Sequence, residues 1–523
     1  MGVAAVWGFA VVGVEAIAVR VEAHARNGLP GISIVGLPGA AVREAKERVR
    51  SAAASVGLPL PARRITINLS PGDVPKEGPG FDLPVALATL ASCGYLSPDA
   101  LARVGAVGEV ALDGKVRSTR GMLSAAEAAR QVGVKLLLVP VDSYVLALEV
   151  ACVPVIGVSS LDEAVRAIGD EESRKELVEK GARWAQLSTL GEKAKADRGY
   201  DSDVPDLSQV LGLEQAKRAL EIAAAGGHHI LLFGAPGMGK TMLARALPGI
   251  LPPLTREEAV EVTRIWSAAG LHDAGQGLRT RRPFRAPHHT ASRAALIGGG
   301  AGLRPGEVSL AHRGVLFLDE LPEFSRDALE ALRQPLEEAR VIISRRSGST
   351  VFPAACTLVA AMNPCPCGFL GHPHKSCRCS AAAAERYRAR LSGPLLDRVD
   401  LMVEIPPLSL GALEGGQKEE NSSAVRERVT AAWRYRQERL TRAMSSGNWQ
   451  VEQKASLESD LGSEARAFLR EALVKDGLSG RAYVRTLRLA RTIADLDQVA
   501  AVSLEHVAEA LALRLDDRRL LFS

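Results

Sequence analysis

The sequence predicts an α/β protein of about three domains arranged around a phosphate-loop core. Three observations carry that expectation. The chain has 523 residues, too many for one ordinary hydrophobic core. From residue 1 to about residue 170, short apolar runs such as Ile32-Ser33-Ile34-Val35, Ile65-Thr66-Ile67-Asn68 and Leu136-Leu137-Leu138-Val139 alternate with helical stretches. Finally, the apolar run His229 to Phe233 leads into Gly234-Ala235-Pro236-Gly237-Met238-Gly239-Lys240-Thr241, a complete G-x-x-x-x-G-K-T, which the helical pattern Met242 to Leu247 follows.

Taken in order, residues 1–170 read as an α/β or α+β domain. Residues 171–206 are charged and polar, and read as a helix followed by an exposed linker ending in Asp201-Ser202-Asp203-Val204-Pro205-Asp206. The nucleotide-binding domain is expected over 207–407. A second break, rich in Gly, Glu, Asn and Ser, spans 410–423, and residues 424–523 carry an almost wholly helical pattern, expected to be a small bundle. The sequence has no internal repeat of fixed period.

The phosphate loop predicts a strand, a glycine-rich turn whose N–H groups surround the β- and γ-phosphates, and a helix whose positive end faces them. Lys240 is expected to neutralise charge on those phosphates. Further on, Gly314-Val315-Leu316-Phe317-Leu318-Asp319-Glu320 reads as a buried strand ending in two carboxylates, a Walker B element. Asp319 and the Thr241 hydroxyl would hold Mg²⁺, and Glu320 would orient and polarise the attacking water. The chemistry so predicted is positioning plus electrostatics on ATP or GTP, with no covalent intermediate.

Hydrophobic content of 47% and a net charge of +5 describe an ordinary globular chain. The small basic excess permits a polyanionic partner without requiring one. Met1 to Val21 lacks a basic leader segment and carries Glu15, so neither a signal peptide nor a membrane span is expected, and the chain is assigned to the cytoplasm. Of the seven cysteines, Cys365, Cys367, Cys377 and Cys379 crowd together. They offer four thiolates in two pairs, enough for a closed tetrahedral zinc site, although the C-x-C spacing is tighter than the usual C-x₂₋₄-C. His372 and His374 lie between the pairs. Cys93, Cys152 and Cys356 read as small core residues.

These residues resemble the magnesium-chelatase-like branch of AAA+ ATPases, most closely the bacterial YifB/ComM family. The resemblance rests on Gly234 to Thr241, Phe284-Arg285-Ala286-Pro287-His288-His289-Thr290-Ala291-Ser292, Leu318-Asp319-Glu320, Met362-Asn363-Pro364-Cys365, Leu395-Leu396-Asp397-Arg398-Val399-Asp400 and Ser479-Gly480-Arg481-Ala482-Tyr483. It implies that Asn363 is the sensor 1 residue near the hydrolytic water. Arg398 is then the arginine finger reaching into a neighbouring subunit, and Arg481 the sensor 2 arginine of a C-terminal helical lid. It further implies ATP as the nucleotide and a homo-oligomeric ring, a hexamer.

The N-terminal region resembles the ribosomal-S5-domain-2-like fold shared with Lon-type proteases. Pro75-Lys76-Glu77-Gly78-Pro79-Gly80 matches the stretch bearing the protease's serine, but that position is Gly80. Gly108 to Leu123 matches the lysine-bearing stretch, and there the lysine position is Leu123. With nucleophile and base both replaced, peptide hydrolysis is not expected. The domain reads as a docking, oligomerisation or nucleic-acid-guiding module.

The family resemblance implies a motor that moves on DNA, branch-migrating it in recombination during natural transformation. Residues 282–300 interrupt the ATPase core, and Val341 to Val351 reads as a hairpin with Arg345 and Arg346 near its tip. If these line a pore, Arg285, Arg345 and Arg346 contact phosphates without reading bases. His288 and His289 read as local hydrogen-bonding residues rather than a metal pair. The arginine-rich helix Val425 to Met444, with Trp433 and Tyr435, reads as a solvated lid helix with its aromatics turned inward. Three rivals stand beside the DNA motor. A chelatase motor subunit would need a partner bearing a D-x-S-x-S metal-binding motif, which this chain lacks. A Lon-like protease lacks its dyad here. A non-motor nucleotide switch would not need Glu320, Asn363 and Arg398 together.

Overall fold

The computed structural model describes residues 3–199, 204–272, 275–300, 303–345, 348–407, 419–445, 457–458, 460–476 and 479–522, with the side chains of 187–199, 345, 348, 443–445, 473, 476 and 515–522 outside that description.

The N-terminal part is a seven-stranded sheet in the order β3-β4-β2-β1-β5-β8-β9. Its strands are β1 (Ala4–Val12), β2 (Glu15–Arg26), β3 (Gly31–Val35), β4 (Arg64–Ser70), β5 (Val104–Ala106), β8 (Leu136–Pro140) and β9 (Val155–Val158). A separate two-stranded ladder joins β6 (Glu109–Val110) to β7 (Val116–Arg117). A two-residue turn, Gly13-Val14, closes β1 onto β2 by pairing Val12 with Glu15. The helix Asp82–Ser92 is buried along its whole length, and inside it the carboxylate of Asp82 takes two bonds from Arg48 at 2.7 and 2.9 Å. The expected linker begins as a helix, Glu171–Gly199. Its Leu177 is buried in the N-terminal core.

The nucleotide-binding part is a five-stranded sheet, order β11-β14-β17-β10-β18, from β10 (Ile230–Phe233), β11 (Phe284–Arg285), β14 (Val315–Leu318), β17 (Thr357–Met362) and β18 (Leu401–Glu404). Every pairing in it is parallel. Alternation explains why these strands are continuously apolar. Ile230, Leu232, Val315, Phe317, Val359 and Val403 pack on one face, while Leu231, Leu316, Leu318, Leu358, Ala360 and Met402 pack on the other. Two hairpin-like additions, β12 (Gly298–Gly299) with β13 (Arg304–Pro305) and β15 (Arg340–Arg345) with β16 (Gly348–Pro353), stand outside the sheet. The result is an α/β AAA+ fold.

The C-terminal helices Ser422–Ser445, Ser463–Asp476, Gly480–Leu496 and Leu504–Phe522 pack on one another and on the ATPase part. Val425, Val429, Leu487, Ile493 and Val507 share one buried cluster with Leu220, Leu243 and Leu401 of the ATPase part. On Ser422–Ser445, Trp433 donates to the carbonyl of Ala224 at 3.0 Å. Two of its arginines pair across elements, Arg428 with Glu221 and Glu420 and Arg439 with Asp495, while Arg426, Arg434 and Arg442 are exposed.

A half-buried carboxylate fastens this helical region to the sheet. Asp400, just before β18, accepts from the N–H of His229 at 3.0 Å and from Arg485 at 2.8 Å. His228 beside it meets Thr492 Oγ1 at 2.8 Å. Desolvation alone would raise Asp400, but His228, His229 and Arg485 outweigh it and hold the carboxyl far below the usual carboxylate range. A depressed carboxylate contributes stability in full above its unfolded pKa, about 3.9, and loses it as the pH falls from there. Asp400→Asn is therefore expected to cost about 3–5 kcal/mol at neutral pH, with the deficit shrinking below about pH 4. Denaturant unfolding at several pH values checks this.

The N-terminal part docks on the helix Arg256–Ala269. Glu127 pairs with Arg264, and Glu149 with Arg256 at 3.0 Å. The N–H of Gly121 donates to Ser267 Oγ at 3.2 Å. Val14, in the β1–β2 turn, is buried in the ATPase cluster beside Phe352 of β16. A side-chain carbon at Gly13 would lie 2.3 Å from Thr350 Cγ2.

Candidate nucleotide-binding and hydrolysis site

The phosphate loop leaves the carboxyl end of β10 and runs into the helix Lys240–Ile250. Gly237 and Gly239 take φ of +79° and +86°, which turn successive N–H groups into one concavity. Gly234 is required by closeness, since a Cβ there would sit 2.5 Å from the carbonyl oxygen of Ile405. The loop forms one wall of a cavity of about 360 Å³, whose lining also includes Lys240, Thr241, Asp319, Glu320 and Asn363. Residues expected from three separate stretches of sequence thus meet at one place.

Lys240 is buried, and its ammonium donates to the carbonyls of Gly234 and Ala235 at 2.5 and 2.9 Å and to Asn363 Oδ1 at 3.0 Å. Desolvation pushes it down to about 8, against the pull of Asp319 and Glu320. It is a cation short of negative charge, as a phosphate-binding group should be. Thr241 Oγ1 donates to Asp319 Oδ2 at 3.0 Å. A hydroxyl and a carboxylate oxygen adjacent at the end of a phosphate cavity are a hard-oxygen pair of the kind that takes Mg²⁺ beside phosphate oxygens. The residues present therefore fit a magnesium–nucleotide complex.

Glu320 follows Asp319 in a left-handed backbone conformation, φ +51°, which costs a non-glycine residue about 1–3 kcal/mol. The strain turns its carboxylate off the strand end into the cavity rim. There His289 Nδ1 lies 3.4 Å from Glu320 Oε2. His288 bonds locally, as expected, to Thr290 Oγ1 at 2.9 Å. The reach of His289 to Glu320 is a contact that sequence reasoning missed, because nothing in two adjacent histidines reveals which strand end the insert covers.

Other expected site residues are placed elsewhere. Arg398 is buried in its own chain, donating to the carbonyls of Arg333 and Pro394 at 3.0 and 2.6 Å and pairing with Glu337. Arg481 is exposed at the start of the helix Gly480–Leu496, one turn before Arg485, which bonds to Asp400. Asp400 meets the carbonyl of His229 at the amino end of β10, whereas the phosphate loop leaves the carboxyl end. Neither arginine lines the cavity of its own chain. Arg285, expected as a phosphate contact, makes a bidentate pair with Glu307 within its own chain at 2.6 and 2.8 Å. Arg345 ends β15, with its side chain beyond the description, and Arg346 lies outside the described residues.

The sulfur atoms of Cys365, Cys367, Cys377 and Cys379 all fall within 4.8 Å of one another. Three of the separations are 3.4, 3.6 and 3.6 Å. Zinc–sulfur bonds of about 2.3 Å in a tetrahedron require sulfurs about 3.8 Å apart. All seven cysteines are free thiols. Backbone N–H groups of Phe369 and Arg378 hold the Cys367 thiol down at about 6. In the N-terminal part, Leu123 is fully buried, and a Cβ at Gly80 would meet Thr119 Oγ1 at 3.3 Å. No described helix is long and apolar enough to cross a membrane.

Residues 206–413 match the family model described as magnesium chelatase, subunit ChlI. Residues 21–143 match that for subunit ChlI of Mg-chelatase, and 419–514 that for the ChlI C-terminal region. The chain is 42% identical to the competence protein ComM of Haemophilus influenzae, over 98% of each sequence. It is equally identical, at 42%, to the uncharacterized protein YifB of Salmonella typhimurium, over 100% of this chain and 99% of that one. Similarity to the Lon protease of Mycolicibacterium smegmatis is 33% over 141 residues, 25% of this chain and 18% of the protease.

Proposed function

Because the chain belongs to the YifB/ComM family of magnesium-chelatase-like AAA+ ATPases, we propose that it assembles into a hexameric ring that couples ATP hydrolysis to movement on DNA, in branch migration during recombination. The observation that supports a hydrolase over a nucleotide switch is the convergence of Lys240, Thr241, Asp319, Glu320 and Asn363 on one cavity. A switch that only binds nucleotide has no use for Glu320 strained into the rim.

In this reading the N–H groups of Gly237 to Thr241 and the Lys240 ammonium hold the β- and γ-phosphates. Thr241 and Asp319 hold Mg²⁺, which when bound neutralises charge on the phosphate oxygens. Asn363 aligns water between itself and Glu320, and the Glu320 carboxylate accepts its hydrogen bond as it attacks. Arg398 and Arg481, remote from their own cavity, act on the nucleotide of the next subunit. The segment Val341 to Val351, which carries Arg345 and Arg346, contacts DNA phosphates. Arg285 holds the insert in place through Glu307. Cys365, Cys367, Cys377 and Cys379 hold a structural zinc. The N-terminal part is a Lon-like, ribosomal-S5-domain-2-like domain without its catalytic dyad, serving docking rather than proteolysis, and the protein works in the cytoplasm.

The test is steady-state ATP hydrolysis without nucleic acid, with single-stranded DNA and with a four-way junction, at two salt concentrations. DNA is expected to raise turnover severalfold, with the gain fading as salt rises. Turnover indifferent to DNA would sink the DNA motor. It would favour the second reading, a chelatase-type motor acting on a protein partner, to which the three family-model matches lend weight.

A further inference from the structure

The four-cysteine loop is built against the phosphate loop. It starts two residues after Asn363, the side chain that accepts from Lys240 at 3.0 Å. Cys365, its first thiol, is fully buried. Gly368, with φ of +83°, lies so close to the phosphate loop that a Cβ there would come within 2.5 Å of Pro236 Cδ and 2.9 Å of Cγ. Pro236 is a rigid ring inside the loop that cradles phosphate. The turn is short, closed by the Gly368 N–H on the Cys365 carbonyl at 2.9 Å. Its other end returns through Cys377 and Cys379, where the Cys379 N–H donates to Cys377 Sγ at 3.4 Å. The four thiols draw the two ends of the loop together, and within it Lys375 Nζ lies 5.0 Å from the centre of the Phe369 ring.

We propose that a metal ion held by these four thiolates, zinc by the all-sulfur tetrahedral donor set, is the brace that fixes the phosphate loop, so that metal occupancy sets nucleotide affinity. The inference rests on the reading of Gly234 to Thr241 as the nucleotide site. Displacing a positioning group by about 1 Å costs up to about 100-fold, and loss of the metal frees Gly368 to withdraw from Pro236 and Asn363 from Lys240. Removal of zinc thereby acts on a site that contains no cysteine.

The experiment uses the full chain. Metal content is measured by elemental analysis, zinc is withdrawn with a high-affinity chelator under reducing conditions, and binding of a fluorescent ATP analogue is followed by anisotropy. Affinity is expected to fall about 10- to 100-fold in step with zinc released and to return when zinc is added back. Gly368→Ala supplies a second arm: it is expected to keep the zinc and weaken the analogue about tenfold or more, because the added carbon pushes on Pro236. Unchanged affinity on zinc removal or in Gly368→Ala overturns the brace, as does a metal-free purified protein that binds with full affinity. Failure of the zinc-loaded wild type to bind the analogue at all overturns the nucleotide-site reading instead.

Discussion

Lys240→Ala is expected to reduce ATP hydrolysis to background and nucleotide affinity by at least about 100-fold. The ammonium donates to Gly234, Ala235 and Asn363, so its removal both strips the cavity of the one cation among its described lining residues and unties the phosphate loop from β17. Burial has already pushed Lys240 down to about 8. Its charge is underused until phosphate arrives, and the gain on binding is correspondingly large. Lys240→Arg keeps the charge but not the shape, and no rescue is expected, since a planar guanidinium cannot enter a pocket fitted to an ammonium. Turnover by Lys240→Ala at the wild-type rate would remove the site assignment.

Arg398→Ala should cost at least about 1,000-fold in turnover with little change in nucleotide affinity. The affinity is spared because the guanidinium is spent on Arg333, Pro394 and Glu337 of its own chain and does not touch its own cavity. A decisive form of the experiment mixes two inactive proteins. Arg398→Ala keeps an intact phosphate loop, and Lys240→Ala keeps an intact Arg398, so a mixed ring contains complete sites wherever the two adjoin in the right order. Partial recovery of turnover on mixing is expected. A mixture that co-assembles yet stays inactive would show that Arg398 serves its own chain as a structural residue.

The sequence made the phosphate site legible because its parts are local. Gly234 to Thr241 needs only the strand before it and the helix after it, and Asp319-Glu320 only the end of β14. Their meeting follows from adjacent parallel strands delivering their carboxyl ends to one edge. The four cysteines were legible for the same reason. What sequence could not supply were contacts set by packing across distant elements. The pairing of Arg285 with Glu307 is one: a guanidinium in an insert reads as a phosphate contact, yet the insert also brings its own carboxylate to it. The reach of His289 to Glu320 is another. The C-terminal helices are amphipathic in pattern, and their apolar faces also join the ATPase core, a choice of partner that helical periodicity leaves open.

The β1–β2 turn has a mechanical consequence. Val14 is sunk into the ATPase cluster and Gly13 lies against Thr350 and Phe352, so the base of the β15–β16 hairpin bears directly on the first domain. A load pulling on the hairpin tip is therefore not resisted by the ATPase sheet alone. Part of it passes into β1, whose nine residues are laddered to β2 from end to end, and spreads through a seven-stranded sheet. The N-terminal sheet becomes, by that route, the anvil that takes up force on the hairpin.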